Sequence, residues 1–303
     1  MIRFFTLIPA LAIWIFAAGY ATNASAESVS LKFGDTNLSA NLTLADGKTI
    51  EDQIVLITHG TLAHSKMELI TALQTLLGDA GHSSLAINLG LGAPDREFMY
   101  DCKTPHRHLF HDAMAEIGAW LDWLDKQGTS DVVLMGHSRG GNQTAWFSAE
   151  TDHTLVSKVV LLAPATWDEG KVEAGYLKSH RKPLADILRA AQSLVDQGQG
   201  DVMMTKTGFL YCRGASVTPA TFLSYYLPDA RRHSPALLPR IKKPTLVIAG
   251  SDDKVVVGLD ELVPPLLNGD TQRFEIVDGA GHFFRDLYAE DVVDLVVGFI
   301  SEE

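Results

Sequence analysis

The sequence predicts an α/β fold: a mostly parallel central sheet with helices on both faces and a helical cap inserted before the last two strands. Three observations carry that prediction. Short β-branched apolar runs alternate with longer segments of helical periodicity, the pattern of right-handed βαβ crossovers. Some runs, such as IVLIT at Ile54–Thr58, have almost no polar alternate, which suits strands buried on both faces. The rhythm then stops from Ala163 to about Lys243 and returns afterwards. A structureless loop of that length is improbable in a compact domain, so the stretch reads as an insertion. Composition is compatible: 303 residues, 46% hydrophobic and 20% charged, which excludes a disordered or fibrous chain. The net charge of −12 lacks the basic footprint of a nucleic-acid binder and opposes docking on anionic lipid.

The first element lies outside the fold. Residues 1–26 read as a signal peptide: Arg3 is a thin positive start, Phe4–Ala18 is nearly all apolar, and Asn23-Ala24-Ser25-Ala26 offers an A-x-A cleavage site. A spanning helix wants about 20 apolar residues, and this run is shorter. No later segment is long and apolar enough to span, so export to the periplasm or medium is expected. The exported chain divides into a core of residues 27–163 and 244–303 and a cap of residues 164–243.

Val29–Phe33 and Leu38–Leu44 alternate with period two and predict an antiparallel hairpin. Ile54–Thr58 is the first buried strand. Ser65–Ala80 has helical spacing and stops at Gly81. Leu85–Asn88 is a strand, and His111–Lys126 an amphipathic helix carrying Ile117, Trp120, Leu121 and Leu124. Val132–Met135 is a strand running into a helix that ends near Ala149, and Lys158–Leu162 is the next strand. In the cap, Leu184–Val195 and Thr218–Leu227 look helical. Thr245–Ala249 and Arg273–Val277 are the last strands, with helices near Leu259–Leu267 and Leu287–Ile300.

The chemistry concentrates at three turns. Gly136-His137-Ser138-Arg139-Gly140 is a G-x-S-x-G, led in by an apolar strand and out by a helix. That context is the setting of a nucleophile elbow, where a strained turn lifts a serine above the sheet and glycines let strand and helix approach. Gly279-Ala280-Gly281-His282 follows the last strand and offers His282 as a general base. Ala249-Gly250-Ser251-Asp252-Asp253 ends the preceding strand, and either Asp252 or Asp253 is placed to hold the tautomer of His282.

With Ser138, the acid and His282 in that order, and Thr58-His59-Gly60-Thr61 after the first buried strand, the chain resembles the α/β-hydrolase superfamily over nearly its whole exported length. The resemblance implies an oxyanion hole from the backbone N–H groups of Arg139 and Thr61, with Leu62 as an alternative to Thr61. It favours Asp253 as the acid, three residues after Gly250. Some members place the acid one strand earlier, where Asp168 stands. The implied activity is a serine hydrolase that cleaves a carboxylic ester through an acyl-enzyme, with a small-molecule ester or acyl substrate and no cofactor or metal. Peptidase, thioesterase or perhydrolase activity, or a non-catalytic ligand-binding protein on the same fold, are the alternatives.

Three other features remain. Cys102 and Cys212 form either one disulfide or two unrelated buried thiols. The cluster His106-Arg107-His108-Leu109-Phe110-His111-Asp112 has the residue types of a zinc site but reads as a polar loop opening a helix. The cap's Met203, Met204, Phe209, Leu210, Tyr211, Phe222, Tyr225 and Tyr226 are expected to pack a small core of their own. Arg139, Arg213, Arg231 and Arg232 are cations that could meet an anionic substrate group or only solvent and acidic neighbours.

Overall fold

A computed structural model describes residues 26–302. The signal-peptide segment therefore lies, apart from Ala26, outside the described residues. Eight strands form one sheet in the order β1-β2-β4-β3-β5-β6-β9-β10. β1 (Ala26–Phe33) and β2 (Thr36–Thr43) are the N-terminal antiparallel hairpin, and β2 also pairs antiparallel with β4 (Ser83–Ile87). All other pairings are parallel: β4 with β3 (Ile54–Thr58), β3 with β5 (Val132–His137), β5 with β6 (Val156–Leu162), β6 with β9 (Thr245–Gly250), and β9 with β10 (Gln272–Val277).

The continuous apolar runs are explained by where their alternate residues go. In β3 and β5, Ile54, Leu56, Val132 and Leu134 enter one core, while Val55, Ile57, Val133 and Met135 enter the other. The first core is closed by α2 (Asp112–Gln127), whose Ile117, Trp120, Leu121 and Leu124 are fully buried, and by α3 (Arg139–Glu150). The second is closed by α1 (Glu68–Asp79) and α8 (Tyr288–Ser301), which supply Leu69, Ile70, Leu73, Val292, Val293 and Val296. Burial of both faces holds the strand register in the middle of the sheet, where the serine turn sits.

The insertion differs in detail from an all-helical cap. It holds α4 (Glu169–His180), α5 (Leu184–Asp196) and α6 (Pro219–Tyr226), but also an antiparallel hairpin of β7 (Met204–Phe209) and β8 (Cys212–Val217). The hairpin escapes the sequence reading because its outer positions, such as Thr205, Lys206, Arg213 and Gly214, are polar and exposed. The helix expected near Leu259–Leu267 is broken by Pro264 and Pro265 into a short α7 (Leu259–Leu262) and a 3₁₀ turn.

Core and cap are stitched together at the loop before α2. Cys102 and Cys212 form a disulfide. His106 pairs with β8 through its backbone, donating its N–H to Ser216 O and accepting from Thr218 N. The segment expected as a polar loop is therefore partly an interior strand-like bridge: His106 and His108 are buried, while Arg107 and His111 are exposed.

Candidate active site

The turn between β5 and α3 is tight because nothing else fits. Ser138 has φ 57° and ψ −120°, a strained conformation for a residue with a side chain. A Cβ on Gly136 would lie 2.5 Å from Gly140 O, and one on Gly140 would lie 2.3 Å from His59 O. The two glycines thus bring strand, helix and the β3 loop into backbone contact, and Ser138 Oγ is lifted out of the sheet's end.

His282 comes to that hydroxyl on the loop after β10, 144 residues later. Its Nε2 is 2.9 Å from Ser138 Oγ, and its Nδ1 is 2.7 Å from Asp253 Oδ2. The other oxygen of Asp253 accepts from the amides of Val255 and Val256 at 2.7 and 2.9 Å. Burial alone would raise the Asp253 carboxyl, but the hydrogen bonds from His282 and these two amides outweigh it and hold it below the ordinary carboxylate range. Asp253 is therefore an anion aimed at the imidazole. The other two carboxylates weighed from sequence are elsewhere. Asp252 is exposed and pairs with Lys254, and Asp168 caps α4 by accepting from Lys171 N.

The backbone of His282 is held as well. His137, inside the serine motif, donates from Nε2 to the carbonyl of His282 at 2.9 Å. Its complete burial drives its pKa down to about 3, so it is neutral and adds no charge beside the pair. Sequence reasoning gave His137 no role; its only signal was its place between Gly136 and Ser138.

The loop after β3 is fixed by a second buried pair. His59, driven well below its usual pKa by burial and by Arg96, is neutral. Its Nε2 accepts from Arg96 Nη2 and Leu89 N, so Nδ1 carries the proton and donates to Gly60 O at 2.8 Å. That bond orients the Gly60–Thr61 peptide. Among the described residues neither the Thr61 nor the Arg139 amide has a hydrogen-bond acceptor. Leu62, the alternative donor, is buried with φ 52°.

Ser138, His282, Gly60 and Thr61 line one cavity of about 350 Å³. Apart from His137, its remaining wall is largely apolar: Ala63, Met67, Met99, Tyr211, Val255 and Phe283. Of the cap aromatics only Tyr211 reaches this wall. Phe209, Phe222, Tyr225 and Tyr226 are buried and pack on one another, but they do not form a core of their own: they are continuous with the first core of the sheet, Tyr225 meeting Phe110. Among the described residues no three His, Cys, Asp or Glu side chains converge on a point where a metal could be held. His106 instead packs its ring against Tyr100, Phe209 and Tyr225, and His108 bonds Tyr225 Oη and faces Glu116.

A family model described as the alpha/beta hydrolase family matches residues 54–295. The chain belongs to that family. Solved structures agree on the fold. Est1E from Butyrivibrio proteoclasticus superposes with a TM-score of 0.60 at 16% identity, covering 91% of this chain and 99% of its own. A dienelactone hydrolase from Anabaena variabilis gives 0.55 at 20% identity, with 92% and 97% covered. The Pyrococcus furiosus esterase Pf2001 gives 0.57 at 16%, with 91% and 90% covered. The comparison with curated proteins gave no match. For this α/β hydrolase, the eight-stranded, mostly parallel sheet with helices on both faces is the family fold.

Proposed function

We propose that this chain is an exported serine hydrolase that cleaves a carboxylic ester. The observation that carries the reading is the continuous chain Ser138 Oγ–His282 Nε2 at 2.9 Å and His282 Nδ1–Asp253 Oδ2 at 2.7 Å. A serine hydroxyl is a weak nucleophile until a base takes its proton, and a base within hydrogen-bond reach, itself oriented by a carboxylate, meets that need.

In this reading Ser138 Oγ attacks the ester carbonyl while its proton passes to His282 Nε2. Asp253 stabilises the imidazolium and keeps Nδ1 protonated. The amides of Arg139 and Thr61 hold the negative oxygen of the tetrahedral intermediate, each contributing about 3 kcal/mol to its stability. The intermediate collapses as His282 returns the proton to the leaving alkoxide, which departs as the alcohol. Water then attacks the acyl-enzyme, gives its proton to His282, and the acid leaves as Ser138 is regenerated. The apolar cavity wall suits a substrate with an apolar portion.

Export is supported by the 1–26 sequence and by the Cys102–Cys212 disulfide, since such bonds persist in oxidising compartments. The mechanism is tested by a fluorophosphonate probe. It should label wild type at Ser138, located by peptide mass, and leave Ser138→Ala unlabelled. The same substitution should abolish hydrolysis of p-nitrophenyl esters. Wild-type protein that neither labels nor turns over any ester in a graded series would make it a ligand-binding protein on this fold instead.

A further inference from the structure

Arg139 follows Ser138 directly, and its side chain runs between Phe110 of the core and Tyr225 of the cap. Its guanidinium carbon is 5.4 Å from each ring centre. Nε donates to Thr61 Oγ1 at 2.9 Å. Thr61 and Arg139 are the two residues whose amides are assigned to the oxyanion, and the cation stands directly behind Thr61, a wall residue of the serine cavity. Among the described residues neither of its terminal nitrogens has a hydrogen-bond acceptor and no carboxylate pairs with it.

A second guanidinium lies close by. Arg232 is 4% exposed, donates from Nη1 to the carbonyl of Tyr225, and stacks over Trp167, while its Nε and Nη2 are buried without a partner among the described residues. Burial lowers both guanidinium groups, and the nearby charge of Arg139 helps bring Arg232 to about 10; a guanidinium keeps its proton inside proteins, so both are cations.

The neighbours show how unusual this is. Arg231, one residue away, is fully paired with Asp229 at 2.8 Å. Arg96 has its guanidinium consumed by the carbonyls of Leu89, Ala63 and Phe98 and by His59. The chain has 37 acidic residues, yet among the described residues none forms an ion pair with Arg139 or Arg232. A buried and a half-buried cation without an anion are costly, and a carboxylate arriving with the substrate removes that cost, because a planar fork of N–H donors matches it.

We propose that Arg139, backed by Arg232, binds a carboxylate on the acyl portion of the substrate. The substrate class is then the monoesters of dicarboxylic acids, the alcohol portion lying along the apolar wall near His282, Val255 and Phe283. This rests on the acyl-transfer reading above. The acyl side is assigned because the acyl group stays on Ser138, next to Arg139, whereas His282 marks the side from which the alcohol leaves.

The test compares kcat/KM for mono-p-nitrophenyl succinate with that for the neutral p-nitrophenyl butyrate, and for 4-acetoxybenzoate with phenyl acetate. Wild type should prefer the succinate ester over the butyrate at least tenfold and show no such preference in the second pair. Arg139→Met should bring the first ratio near one, and Arg139→Lys should retain part of it. Free succinate should slow fluorophosphonate labelling of wild type but not of Arg139→Met. Normal labelling with no preference for succinate and no protection overturns the proposal while leaving the serine hydrolase standing. A preference confined to 4-acetoxybenzoate overturns the acyl-side assignment. Absence of labelling in wild type removes the acyl-transfer reading and this proposal with it.

Discussion

Asp253 differs from its neighbour Asp252 only in where the chain points it. Asp253 is 7% exposed, receives two backbone amides and bonds His282, whereas Asp252 sits in solvent beside Lys254. Asp253→Asn keeps the shape but presents either a donor or a neutral acceptor to Nδ1, and favours the wrong tautomer for accepting the serine proton. It should lower kcat by about 10³–10⁴-fold, while Asp252→Asn and Asp168→Asn stay within about twofold of wild type, an exposed pair being worth little. Steady-state rates on one p-nitrophenyl ester decide the matter, and near-native turnover by Asp253→Asn would assign the role to another carboxylate. Ser138, Asp253 and His282 were legible because each stands at a turn after a strand; β5 and β9 are visible as buried apolar runs, whereas β10 is largely exposed and His282 is marked by its place after the last strand. His137, His59 and Arg96 were not legible. Their parts depend on which carbonyl each reaches in three dimensions, and nothing in the linear spacing encodes His137 Nε2 meeting the carbonyl of a residue 145 positions away.

At the scale of elements, the sheet and the cap differ in how each is held. β3, β5 and β9 are buried on both faces and owe their positions to two apolar cores. The β7–β8 hairpin has polar outer positions and is anchored by the His106 bridge and the disulfide. The bond spans 110 residues, and closing a loop of that order is worth about 4–5 kcal/mol in the unfolded chain by the entropic account. The double variant Cys102→Ala/Cys212→Ala should therefore lose about 2–5 kcal/mol in urea unfolding. Tyr211 lies next to Cys212 and lines the cavity, so the variant should also raise KM more than it lowers kcat. Unchanged stability together with unchanged KM would mean that the cap is held by packing alone. The same contrast explains what the sequence revealed. Periodicity reports burial on a face, so the core strands and long helices were readable, but a hairpin held by a cross-link and a backbone bridge carries no such pattern. The pairing of Cys102 with Cys212 was open for the same reason.

For the whole molecule, the buried neutral histidines set how stability depends on pH. His59, His106 and His137 all lie well below the ordinary imidazole value, His106 and His137 at about 3, and in each case burial is the main cause. The unfolded chain, with its histidines near 6.5, binds protons that the folded chain refuses. Stability is then full above about pH 6.5 and is lost as pH falls from there toward 3. Each histidine contributes a slope of about 1.4 kcal/mol per pH unit once well inside that window, or roughly 4 for the three together. Asp253 acts in the same direction but lower, losing its contribution as pH falls below the usual carboxylate range. Between pH 6.5 and 5 the carboxylates stay ionised, so the relief of the −12 net charge has barely begun and the histidine effect stands nearly alone. His106 is the residue with which to isolate it, because both its ring nitrogens are buried without partners among the described residues and it lies outside the serine site. His106→Phe keeps the aromatic packing against Tyr100, Phe209 and Tyr225, removes the desolvated nitrogens, and should be at least as stable as wild type at pH 7.5. The urea midpoint of wild type should be flat above pH 7 and fall steadily from 6.5 to 5, and His106→Phe should fall by about one third less. Parallel curves for the two proteins would show that His106 takes up its proton in the folded state and that its cage is open to water.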